Sequence, residues 1–158
     1  MSEILIRFIR GTAWDSRLIE YRTRFWCSHT EAVTSESSNL TCGAMLRGGV
    51  KYRDFTDKAY KHVSRWEIWH IPCTDTQNGI FWAFLHSQIG KPYDWKAIFA
   101  FGLGEHDWNN MNSWFCSEFM IAAGVSAGLW TYTADVHADR LAPSDAYLLF
   151  TTIPGAHL

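Results

Sequence analysis

Ile4, Ile6 and Phe8 alternate with polar or partly buried neighbours, the period of a strand lying on a sheet. Trp14, Leu18, Tyr21 and Phe25 then recur at helical spacing and predict a short helix. Residues 27–34 read as extended, 36–39 as a polar turn and 40–46 as a returning strand, together a hairpin. Gly48-Gly49 breaks that strand, and 50–55 is strand-like again. Residues 63–71, rich in β-branched and aromatic side chains, predict a further strand that stops at Pro72. The period then changes. Asp75 or Thr76 is the expected cap of a helix carrying Phe81, Phe84 and Leu85 and ending near Gly90. Lys91-Pro92-Tyr93-Asp94 reads as a turn, with Asp94 capping a helix over 95–101 and a polar loop over 102–112. Ser113 is the expected N-cap of a third helix over about 114–128, and the apolar run 146–153 either adds an edge strand or closes the core. Strands first and helices second predict one α+β domain over 1–158, not a doubly wound parallel sheet.

Composition narrows the picture. At 158 residues and 47% apolar, the chain can bury one real core, which excludes global disorder. A formal charge of −2 supplies no basic field for nucleic acid. The longest apolar stretch, 79–85, is far short of the roughly 20 residues that span a bilayer, so no transmembrane segment is expected. The first ten residues do not read as a signal peptide, which points to a cytoplasmic location. Cys27, Cys42, Cys73 and Cys116 lie far apart with no CxxC pair, so free thiols are expected, and neither a metal nor a cofactor. Nine tryptophans are many for this length; Trp66, Trp69, Trp82, Trp95 and Trp108 either serve the core or line a groove.

The stretch from Asn112 to Glu118 carries the chemistry. It puts Cys116 in a first helical turn, where unpaired N–H groups and the helix dipole favour an anion such as a thiolate and lower a thiol pKa. Those N–H groups also suit an oxyanion. The competing reading is a small buried cysteine on an apolar helix face. His29 shares a strand face with Cys27 and Glu31, and its imidazole can take the thiol proton. His62, His70, His86, His106, His137 and His157 are rivals. Glu31 is the nearest acid to His29, roughly 6 to 7 Å away at Cα from the strand rise. Glu118 points to another helix face than Cys116 and is expected to favour the helix N-terminus or pair with an Arg.

Five pieces in order, Ser28-His29-Thr30-Glu31, Gly48-Gly49-Val50, Gly90-Lys91-Pro92-Tyr93-Asp94-Trp95, Trp114-Phe115-Cys116-Ser117-Glu118-Phe119 and Ala142-Pro143-Ser144-Asp145, resemble the circularly permuted papain-like cysteine hydrolases related to NlpC-type cell-wall peptidases. The YiiX-like group and related phage-encoded proteins have the most similar pattern. The resemblance implies an antiparallel sheet packed against helices. It implies a peptidase or amidase acting on a peptide-like or peptidoglycan-derived bond through a Cys116 thioester, with His29 as base. Tyr93 inherits a place at the active site, as an oxyanion donor; the competing reading is a side chain that only caps the helix packing below it. The relatives put a third polar residue beside the histidine, usually on the next strand; that strand here offers Asn39, Thr41 and Cys42, and Glu31 is the candidate orienter instead. Two alternatives remain: an acyltransferase like lecithin:retinol acyltransferase, with an acyl lipid as partner, and a non-catalytic ligand-binding module.

Overall fold

Ser2–Gly11 forms β1, and its alternation is buried on both faces: Ile4, Ile6 and Phe8 on one, Leu5, Arg7 and Ile9 on the other. A computed structural model describes residues 2–94, 113–130 and 141–158. The expected helix over 95–101, the loop over 102–112, and Trp95, Trp108, His106 and His137 lie outside them. Among the described residues, β1 is followed by α1 (Trp14–Thr23), β2 (His29–Val33), β3 (Leu40–Met45), β4 (Gly49–Asp54), a 3-10 turn (Lys58–Tyr60), β5 (Val63–Cys73), α2 (Asp75–Ser87), α3 (Cys116–Ser126) and α4 (Pro143–Thr151). The strands form one antiparallel sheet in the order β4-β3-β2-β1-β5. The α+β class expected from the sequence is the class observed.

Helices cover the Ile6–Phe8 face. Phe8 meets Tyr147 edge-on with ring centroids 4.9 Å apart and Phe150 at 6.5 Å. Phe81 and Leu85 of α2, and Phe119, Met120 and Ile121 of α3, complete the core. Burial at this scale stabilises by about 1.5–3 kcal/mol per large apolar side chain.

Local details depart from the sequence reading for identifiable reasons. In α1 only Ile19 is buried, while Trp14 and Tyr21 of the expected stripe are exposed. Arg24 takes a left-handed φ of 52° that ends the helix, so Phe25 leaves its face and packs on Tyr147 with centroids 5.1 Å apart. β5 runs through Pro72 to Cys73; it is an edge strand, where a missing N–H is tolerated. The cap of α2 is Thr74, not Asp75 or Thr76. Its Oγ1 accepts the Gln77 N–H at 3.1 Å, while Gln77 Oε1 accepts the Thr74 N–H at 3.0 Å, a reciprocal capping box. Most of the final apolar run is helix rather than edge strand. Pro143 begins α4, and Asp145 accepts the Ala142 N–H at 2.7 Å.

Candidate active site

Cys116 is the first residue of α3 and only 1% exposed. The N-cap is Phe115, whose ring accepts nothing; Glu118 accepts the Phe115 N–H at 3.2 Å, the helix-terminal role expected for it. Ser113, expected as the cap, lies two residues too early and donates its hydroxyl to Asp94 Oδ2 at 3.0 Å.

That contact belongs to a short parallel bridge. The Asp94 N–H donates to Trp114 O and the Trp114 N–H to Pro92 O, both at 3.1 Å. The turn before Tyr93 is in turn docked on β4: the Val50 N–H donates to Lys91 O and the Gly90 N–H to Val50 O, both at 2.9 Å. This docking requires Gly49, which has φ +62° and where a Cβ would run into the Lys91 carbonyl. The turn therefore delivers Tyr93 to the start of α3, with its ring 5.8 Å from that of Phe115. The Tyr93 hydroxyl is within hydrogen-bonding reach of the Cys116 sulfur. Burial, then the negative charge at Cys116, pushes the Tyr93 pKa well up, so the phenol keeps its proton and is a donor.

His29 opens β2, and its ring is also within hydrogen-bonding reach of Cys116. Burial alone would push its pKa down. The charge and hydrogen bond of Cys116, together with those of Glu31, outweigh that and push it up to about 10. His29 Nε2 stands 3.5 Å from Glu31 Oε2, an ion-pair separation at the long limit of a hydrogen bond. The structure thus brings together all four sequence candidates: Cys116, His29, Glu31 and Tyr93.

Behind them lies a layer that the sequence did not reveal. Glu31 is fully buried; Tyr60 donates to its Oε2 at 2.7 Å, and Arg7 Nη1 lies 3.4 Å from its Oε1. Tyr60 in turn shares a 2.9 Å hydrogen bond with Thr41 on β3. Gly43 on β3 makes room: a Cβ there would sit 2.9 Å from the Glu31 Cβ. Gly43→Ala is expected to cost about 1–3 kcal/mol through this clash, read as a lower urea midpoint; an unchanged midpoint would show that β3 yields freely. Arg7 pairs with Glu31 only across strands, and Tyr60 sits in a 3-10 turn, so hydrophobic periodicity carries no signal for either.

A cavity of about 400 Å³ is lined by His29, Tyr93, Tyr60, Ile9, Trp14 and Met45 among others, with buried Cys116 outside its lining. Arg47, Lys58 and Lys61 line it too, against Asp15. All four cysteines are free and buried. Burial pushes the Cys27 and Cys42 thiols up to about 12. Trp66, Trp69 and Trp82 take separate partners (Phe55, Tyr147 and Tyr52) rather than lining one groove. No helix among the described residues is long and apolar enough to cross a membrane.

No protein-family model matches the chain, and comparison with curated proteins finds no match.

Proposed function

We propose that the chain is a cysteine hydrolase on a permuted papain-like, NlpC-type scaffold, cleaving a peptide-like amide bond. The observation that carries this reading is Cys116 at a helix N-terminus, within hydrogen-bonding reach of both the His29 ring and the Tyr93 hydroxyl. A His29 pKa near 10 means that the imidazole holds its proton at neutral pH. The thiolate attacks the carbonyl carbon, and the Cys116 N–H and Tyr93 hydroxyl stabilise the oxyanion. His29 then gives its proton to the departing amine, leaving a thioester. Water attacks the thioester, His29 takes its proton, and the acid product leaves as the thiolate re-forms. Arg47, Lys58 and Lys61 beside the cavity favour a substrate bearing carboxylates, as an acidic peptide does.

Limited iodoacetamide labelling near neutral pH, read by mass spectrometry, tests the nucleophile. Cys116 is expected to be labelled ahead of Cys27, Cys42 and Cys73; faster labelling of any of these in the folded protein would count against the reading. A screen of acidic, neutral and basic peptide amides, followed by trapping of an acyl group on Cys116, tests the reaction. A trapped acyl group that passes to an added lipid or amine instead of water would assign the acyltransferase alternative.

A further inference from the structure

Glu3 lies near the start of β1, six residues from Ile9, the register partner of His29, and so roughly 20 Å from the candidate active site by the strand rise. Around it converge residues remote in sequence. His70 of β5 pairs with Leu5, and its Nδ1 lies 2.8 Å from Glu3 Oε2. His157, beyond α4, forms a two-way backbone bridge with His70: the His70 N–H donates to His157 O at 2.8 Å, and the His157 N–H to His70 O at 3.2 Å. The bridge stacks the two imidazoles with centroids 5.0 Å apart and planes 21° from parallel. One ligand atom each from Glu3, His70 and His157 lies within 4.8 Å of the others.

The remaining atoms are arranged as the outer layer of a metal centre is. Metal-bound histidines commonly direct their second ring nitrogen to a carboxylate or a backbone carbonyl, which fixes the ring. His70 Nε2 faces Glu36 Oε1 at 3.1 Å, and His157 Nδ1 faces Gly155 O at 3.1 Å. Once the proton that His70 Nδ1 shares with Glu3 Oε2 is released, His70 Nδ1 and His157 Nε2 are the nitrogens with lone pairs to offer. Glu3 and His157 are exposed, so an ion can reach them from solvent; a tetrahedral site requires the donors to close from within 4.8 Å to roughly 3.3 Å.

We propose that Glu3, His70 and His157 form a binding site for a divalent transition-metal ion, with Glu36 holding His70 from behind. Two imidazoles and one carboxylate suit zinc, and after it cobalt or nickel, far better than calcium or magnesium, which prefer all-oxygen sites. Binding releases any proton on His70 Nδ1 to solvent. The ion would link β1, β5 and the segment after α4.

The test is titration of the full chain with Zn²⁺ at pH 7.5 by calorimetry, with Co²⁺ as a spectroscopic substitute. One ion per chain is expected, and a Co²⁺ spectrum without sulfur charge-transfer bands, which separates this site from the four thiols. Glu3→Gln and His157→Ala should each weaken binding by more than tenfold, and Glu36→Gln by about tenfold. His86→Ala, on a histidine held by Tyr52, should leave it unchanged. Circular dichroism checks that the variants are folded; Glu3 and His157 are exposed, so both substitutions are compatible with folding. Zinc should also raise the melting temperature of the parent chain but not of His157→Ala. Absence of binding at millimolar zinc, equal affinity in Glu3→Gln and His157→Ala, or a sulfur band with cobalt would each overturn the proposal.

Discussion

Cys116→Ala is expected to lower kcat/KM on a responsive amide by a factor on the order of 10⁴ or more, the scale at which loss of a nucleophile acts. The fold should survive, because the change removes one sulfur at a helix start and costs about 1 kcal/mol. His29→Ala should lose turnover on a similar scale, since both the proton for the leaving amine and the base for water disappear. The pH profile gives an independent reading. The His29 pKa rises from 6.5 to about 10, so the protonated ring persists through neutrality and is lost as pH rises through that value. Activity should therefore fall on the alkaline side with an apparent pKa near 10 that belongs to the coupled pair. Equal hydrolysis by folded Cys116→Ala would remove the mechanism, and an alkaline limb near 6.5 would remove the ion pair.

Glu31→Ala is expected to destabilise the domain by about 3–5 kcal/mol, because it leaves a buried cation without its counter-charge. Burial pushes the Arg7 pKa down and the charge of Glu31 pulls it back up. Among the described residues Arg7 Nε has no hydrogen-bond partner, and the guanidinium lies 3.9 Å from the Phe55 ring centroid, so none of them replaces the lost carboxylate. Glu31→Gln keeps an acceptor for Tyr60 and should cost less, yet it removes one of the charges that raise the His29 pKa. Its alkaline limb should shift to lower pH while Cys116 still forms an adduct. Urea unfolding measures the first effect and the pH–rate profile the second. Should Glu31→Ala fail to fold, Tyr60→Phe reads the same network at about 1 kcal/mol. A midpoint unchanged in Glu31→Ala would mean that Arg7 reaches water or another acceptor.

Strands β1 to β4 were legible to within three residues at each end because their apolar alternation and their Gly and polar breaks are local signals. Cys116 and His29 were candidates by position, with a buried core cysteine and the other histidines as rivals, and the ordered set of motifs singled them out. Helix starts were less legible. Thr74 outcompetes its neighbours Asp75 and Thr76 because Gln77 completes its capping box, and Ser113 loses the cap of α3 because Asp94 claims its hydroxyl. The final helix was ambiguous because an apolar run of that length fits a strand or a buried helix equally, and Pro143 with Asp145 decides only once the backbone turns.

The order of the elements and the α+β class follow from local pattern, and Cys116 and His29 are candidates by residue chemistry and motif order, none of which needs knowledge of what lies across the sheet. The environment of those groups does not. Arg7 and Tyr60 around Glu31, the space left by Gly43, and the Tyr93 hydroxyl aimed at Cys116 are contacts between residues tens of positions apart. Their pairing is set by strand register and by turn docking through Gly49. The same holds for Glu3, His70 and His157, which are unremarkable in sequence and become a set of ligands only when β1, β5 and the segment after α4 are brought side by side. A charge buried in a protein takes its pKa and its stability from neighbours within a few ångströms, and only the folded chain decides who those neighbours are.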